Sequence, residues 1–230
     1  DGGRGLGAGM YFELLMMYHT QAIILKKEEW READWLITAL TADFGKIRLL
    51  AQGSRRHGAK LQGHLEPGSI SDISFVIGRN GYRLTASRLD NFFSGIRISF
   101  SKWRALAIII KLLDDNLFEE PRQAKDIFNA TSEVLSTLES AGGRTSVRRL
   151  VIWFYVRFTD FLGLLPSPLS PEGREIKSLL LLAKYPVSRL DGVDIKEEIF
   201  EKELVWLTHT LSSAFRAPWL PAILSDSAVL

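Results

Sequence analysis

The stretch that decides the fold is "TQAIILKKEEWREADWLITALTADFGKIRLLAQGSRR", residues 20–56. Two of its runs, Thr20–Lys26 and Trp35–Ala42, are rich in β-branched and aromatic residues and predict strands. The next four residues, "DFGK" (Asp43–Lys46), are a turn signal in which Gly45 is free to take positive φ. "KIRLLAQ" predicts a third strand, with Ile47 and Leu49 alternating around Arg48, although Leu50 breaks strict alternation. A basic loop follows, "AQGSRRHGAK" (Ala51–Lys60), in which Gly53 and Gly58 let the backbone bend beside Arg55, Arg56, His57 and Lys60.

Downstream the segments stay short. "KLQGHLEPG" and "SDISFVIG" come next, then "RNGYR" (Arg79–Arg83), whose Asn-Gly is a strong hairpin signal, and "YRLTAS" returns as the last strand. Five or six short strands in about 75 residues predict a small closed barrel of the OB type, because closure removes exposed strand edges. Upstream, "DGGRGLGAGM" is glycine-rich and reads as a tag-like or extended segment ahead of a start at Met10 or Met17. The expected organisation is an N-terminal segment 1–17, an OB-fold nucleic-acid-binding domain 18–94 and a helical domain 95–230: an α+β chain, barrel first and bundle second.

Beyond residue 95 the apolar period becomes helical. "KWRALAIIIKLLDD" (Lys102–Asp115) is apolar on most sides and predicts a buried helix. Pro121 opens the next, whose stripe is Ile127, Phe128, Thr131, Val134, Leu135 and Leu138. "SAGGRTS" (Ser140–Ser146) reads as a linker before a central helix, Val147–Leu165. Ser170 as N-cap, with Pro171 behind it, starts a helix through "SPEGREIKSLLLLAKYP". "DIKEEIFEKELVWLTHTLSSAF" makes the last long helix, with Phe200, Leu204, Leu207 and Leu211 on one face; the tail around Trp219 is broken by Pro218 and Pro221.

The 230 residues carry a formal net charge of only +2, so any affinity for nucleic acid depends on where the charge sits. Between Phe44 and Leu89 lie Lys46, Arg48, Arg55, Arg56, Lys60, Arg79, Arg83 and Arg88, against Glu66 and Asp72 alone. Such a cluster is the electrostatic footprint of nucleic-acid binding, since each phosphate neutralised releases condensed counterions. Tyr82, Phe75 and Phe44 are candidates for stacking on bases, although Phe75 fits the barrel core better. The last helix runs the other way: Asp191, Asp194, Glu197, Glu198, Glu201 and Glu203 face only Lys196 and Lys202, and read as a solvated acidic face.

Other chemistry finds little support. Cysteine is absent, which removes disulfides and thiolate metal sites and leans toward a reducing compartment. His19, His57, His64 and His209 have no carboxylate cluster beside them. Ser54 has no base at motif spacing, and no Gly-Lys-Ser/Thr phosphate loop opens a helix. The densest apolar run, "LVIWFYV" (Leu150–Val156), is far short of the ~18 residues that span a bilayer.

The ordered motifs of residues 18–93 resemble the amino-terminal barrel of the RecO recombination-mediator family. The frame is Glu32 and Asp34 between the first strands, Thr41 ending the second, the Gly45-Lys46 turn, and an A-x-G-x-R-R segment of Ala51, Gly53, Arg55 and Arg56. "HLEPGSISDISFVIGRNGYRLTASRLDNFF" (His64–Phe93) is similar to the family's next block, and the helices to about residue 215 match more loosely. What the resemblance implies is a cytoplasmic bacterial DNA-repair protein that binds single- and double-stranded DNA and anneals complementary strands. Its implied partners are RecR and the C-terminal tail of single-strand-binding protein, with RecA loaded on the coated DNA. Carried over by position, the basic surface is Lys46, Arg55, Arg56 and Lys60; Arg48, Arg79, Arg83 and Arg88 come from the charge count. Many members carry a four-cysteine zinc module after a Gly-x-x-Pro segment, which here resembles Gly163–Gly173 without any cysteine. No zinc or other cofactor is therefore expected. The reading is a non-enzymatic DNA-binding mediator; a protein–protein adaptor or an RNA-binding OB-fold protein would share the charge pattern.

Overall fold

A computed structural model describes residues 16–55, 64–79, 81–118, 123–192 and 196–211. Five strands form a closed barrel in the order β1-β2-β3-β5-β4: β1 (Met17–Trp30), β2 (Asp34–Thr41), β3 (Gly45–Ala51), β4 (Ile70–Gly78) and β5 (Gly81–Asn91). β3 and β5 run parallel and the other pairs antiparallel, the topology of an OB-type barrel.

β1 has 14 residues, where the propensities of Thr20–Lys26 predict half as many. It serves two neighbours: residues 22–30 pair with β2, and residues 17–23 pair with β4. Pairing therefore overrides the poor strand propensity of "KKEE". The strand bends at a register break between Ile24 and Lys26. There Gly68 N donates to the Ile24 carbonyl at 2.8 Å, and Ile24 N donates to the Ser69 carbonyl at 3.0 Å. "KLQGHLEPG" adds no strand among its described residues; its Leu65 is a fully buried plug of the barrel.

Inward positions alternate as a half-buried sheet requires: Ala22, Ile24, Ile37, Ala39, Ile47, Leu49, Ala51, Ile73 and Leu84 surround Phe75. Tyr18, Phe44 and Tyr82 close one end over Phe75, with ring centroids 5.2–5.4 Å apart. Thr41 holds that end, its Oγ1 accepting from Phe44 N at 3.0 Å and donating to the Gly45 carbonyl at 2.9 Å.

The helical unit comprises the described residues of Phe93–Leu117 and from Asp126 onward. Its helices are α1 (Ser94–Arg97), α2 (Phe100–Asn116), α3 (Ala124–Ser140), α4 (Gly143–Phe161), α5 (Pro171–Glu175), α6 (Lys177–Lys184) and α7 (Glu197–Leu211), with a 3₁₀ turn at Val187–Gly192. α4 is central: every residue from Leu150 to Val156 is buried, and burial pushes the Tyr155 phenol pKa up, keeping it neutral. The expected linker is shorter than Ser140–Ser146, because α4 already begins at Gly143. α4 also ends before Leu165. Gly163 takes φ 69°, its N–H reaches the Asp160 carbonyl at 2.9 Å, and Leu164 N reaches the Thr159 carbonyl at 3.1 Å, a Schellman closure. Pro121 and the tail around Trp219 lie outside the described residues.

The cysteine-free segment is held by packing. Ser170 caps α5, accepting from Gly173 N at 3.0 Å, and a Cβ on buried Gly173 would overlap the Ser167 carbonyl oxygen. The single helix expected here breaks at Ile176 (φ −122°, ψ 34°) into α5 and α6. Two of the acidic residues expected on a solvated face, Glu203 and Glu201, are engaged within the helical unit. Glu203 is buried and accepts from Ser178 N at 3.1 Å and Leu179 N at 2.9 Å, satisfying the free N–H groups that begin α6. Glu201 makes a bidentate pair with Arg148, 2.9 Å at Nη2. Among the described residues no helix is long and apolar enough to cross a membrane. Glu203→Ala is expected to cost about 1–3 kcal/mol of the helical unit's stability, with Glu203→Gln recovering part of it, measured by chemical denaturation.

Candidate nucleic-acid interface

The outer face of β3 alternates with its buried one, so Lys46, Arg48 and Leu50 point away from the barrel core occupied by Ile47 and Leu49. β5 pairs with β3 through Leu49↔Tyr82 and Leu50↔Arg83, which puts Arg83 on the same outer face. Arg48 therefore lies one strand across from Arg83 and two residues along, roughly 5 and 7 Å. Arg79 stands on the turn joining β4 to β5, at the same end of the ribbon. All three arginines are exposed, and none has an ion pair or hydrogen-bonded partner among the described residues. Lys46 is half-buried beside them, opposite Leu40 of β2. The sequence-predicted residues that the fold brings together are thus Lys46, Arg48, Arg79 and Arg83.

Arg55 has a different setting. Its Nη2 pairs with Glu29 at 3.0 Å, its Nη1 donates to the Arg31 carbonyl at 3.1 Å, and its Cζ lies 5.2 Å from the Trp35 ring centre. Its N–H donates to the Ala33 carbonyl at 3.0 Å. Arg55 therefore braces the chain after β3 against the β1–β2 hairpin. Two further motif residues complete the brace: Gly53 takes φ 66°, and its N–H donates to Asp34 Oδ1 at 2.7 Å. Ser54 is buried, with its hydroxyl donating to the Ala51 carbonyl at 2.6 Å, so it is a turn hydroxyl here. Arg56, His57 and Lys60 lie outside the described residues.

Arg88 sits at the other end of the β4–β5 ribbon, paired with Asp72 at 2.6 Å across the register Asp72↔Arg88. The hydrogen bond and charge of Asp72 raise its pKa further above the usual arginine value. The stacking candidates are committed as well: Phe75 is fully buried, and Phe44 and Tyr82 pack against it. Sequence reasoning missed Lys27 and Trp35. Lys27 Nζ lies 4.9 Å from the Trp35 ring centre and pairs with Glu66 at 2.5 Å, an arrangement that depends on the β1–β2 register and leaves no local signal. His64 Nδ1 donates to the Ser87 carbonyl at 2.8 Å, His19 is bonded to Ser74, and no group of three possible metal ligands converges among the described residues.

The family described as "Recombination protein O N terminal" matches residues 16–93, the barrel. The chain is similar to the protein named "DNA repair protein RecO" of a Roseiflexus species, 30% identical over 151 residues, 66% of this chain and 52% of that protein. The protein of the same name from Thermodesulfovibrio yellowstonii is 30% identical over 155 residues, 66% of this chain and 60% of the relative. That of Dehalococcoides mccartyi is 30% identical over 150 residues, 65% and 58%. The chain thus spans between half and two thirds of the length of these relatives. Asp34→Ala removes the acceptor for Gly53 N and is expected to cost about 1–3 kcal/mol by denaturant melt, with hydrogen exchange at Gly53 and Arg55 rising together.

Proposed function

We propose, for a chain whose barrel belongs to the RecO family, that it is a non-enzymatic recombination mediator that binds DNA through the outer face of β3 and β5. The observation that carries this reading is the sorting of the arginines: Arg55 and Arg88 are paired within the barrel, while Arg48, Arg79 and Arg83 are exposed on one side of it and pair with none of the described residues. Unpaired guanidiniums are the ones whose charge a phosphate can take without breaking an existing ion pair. Lys46 flanks the face, and Arg56 and Lys60, which follow Arg55 in the sequence, are expected to add to it. A surface that neutralises phosphates also lowers repulsion between two complementary strands, which is the physical basis for annealing. In the wider role the family resemblance implies, the protein partners are RecR and the tail of single-strand-binding protein, with the RecA filament as outcome, in the cytoplasm.

The test is fluorescence anisotropy of a labelled single strand titrated at several salt concentrations. Arg48→Ala, Arg79→Ala and Arg83→Ala together are expected to flatten the slope of log affinity against log salt by about 2, since each phosphate that an arginine neutralises on a single strand contributes ~0.7. Arg88→Ala is expected to leave the slope unchanged. Equal slopes for the triple variant and the parent would refute the assignment, and preferential competition by RNA would move the reading to an RNA-binding barrel. Binding confined to a protein partner would make the chain an adaptor.

A further inference from the structure

We propose that the start of α2 is a stacking platform for single-stranded DNA, with Phe100 and Trp103 receiving neighbouring bases and Arg104 meeting the backbone. The starting observation is a patch of the helical unit that its own packing leaves bare: Ile98 is 89% exposed, Phe100 73% and Trp103 47%. Phe100 and Trp103 stand three residues apart on α2, so their Cβ atoms are roughly 5–6 Å apart on one face. That face continues through exposed Ala107 and Lys111. The opposite side of α2 buries Ala105, Leu106, Ile108, Ile109, Leu112 and Leu113, so the outer rings are not needed to seat the helix.

The surrounding chemistry says what covers the patch. From Asn91 to Leu113 the sequence carries Arg97, Lys102, Arg104 and Lys111 and no Asp or Glu. Lys111 is paired with Asp115 at 2.9 Å, Glu139 accepts from Gly95 N at 3.1 Å, and Lys102 Nζ donates to the Glu139 carbonyl at 2.8 Å, which leaves Arg104 as the cation of interest. Arg104 has no ion pair among the described residues; its guanidinium carbon lies 5.6 Å from the Phe100 ring centre. Exposed rings beside cations, with no acid within the run, complement a polyanion that also presents flat π faces. Single-stranded DNA has both properties, and stacking on aromatic side chains tolerates any base. An aliphatic protein surface would leave Arg104 without a partner for its charge.

This inference rests on the reading that the chain binds DNA, and the test separates the two. The barrel face reads phosphates, whereas the platform reads bases. Two labelled strands of roughly twenty nucleotides are compared, oligothymidylate and an abasic strand of equal charge. The parent protein is expected to prefer oligothymidylate by about tenfold or more. Phe100→Ala with Trp103→Ala is expected to abolish that preference while abasic-strand binding and the circular dichroism spectrum stay as they were. Phe100→Tyr with Trp103→Phe, which keeps both rings, is expected to retain it. A preference that survives the double alanine variant, or is absent from the parent, would overturn the platform alone. Failure of both strands to bind would overturn it together with the phosphate-binding reading.

Discussion

Everything in the barrel depends on β1 being hydrogen-bonded along both edges, to β2 and to β4. A strand of 14 residues cannot do this while straight, so the register breaks after Ile24, and the Glu66–Ser69 turn docks its backbone where the break occurs. Closure then brings β3 beside β5 as a parallel pair, although they are separated in sequence by β4. That pairing places Arg48 and Arg83 on one outer surface. Without closure they would be two unrelated arginines on separate strands.

The motif residues of the barrel and its candidate binding residues are largely different sets. Asp34, Thr41, Gly45, Gly53 and Arg55 all have architectural duties: two hold the β2–β3 turn, and three tie the end of β3 to the β1–β2 hairpin. Recurrence of such residues in order is what makes a barrel recognisable. The exposed arginines belong to no motif, because a phosphate asks only for charge at a given place on a surface. Arg55 illustrates the difference: its position matches the basic surface, while its guanidinium is engaged by Glu29, the Arg31 carbonyl and the Trp35 ring.

Much of the fold was legible in the residues. The turn at Gly45, the hairpin around Gly81, the buried stripe of α3 and the Ser170 cap each rest on local chemistry, and each is present. What was not legible depended on partners distant in sequence. β1 outruns its propensity because β2 and β4 supply its hydrogen bonds. Glu203 looks like part of a wet acidic face until α6 presents its open N–H groups to it. The charge count found the basic half of the barrel, but pairing is set by register, so Asp72 opposite Arg88 and Glu29 beside Arg55 could not be separated from free arginines by composition. The aromatic patch on α2 escaped for the opposite reason: "SFSKWRALAIII" reads as one apolar helix, and only packing shows which rings are left outside.

The arginines that pair with none of the described residues, Arg48, Arg79 and Arg83, are, on this reading, the ones that hold phosphate. The most direct test is to modify arginine side chains with a dicarbonyl reagent, with and without single-stranded DNA, and to locate the adducts by mass spectrometry. DNA is expected to protect Arg48, Arg79 and Arg83, and to leave Arg88 as reactive as it was in the free protein. Protection of Arg88 with Arg48 and Arg83 still fully reactive would contradict it.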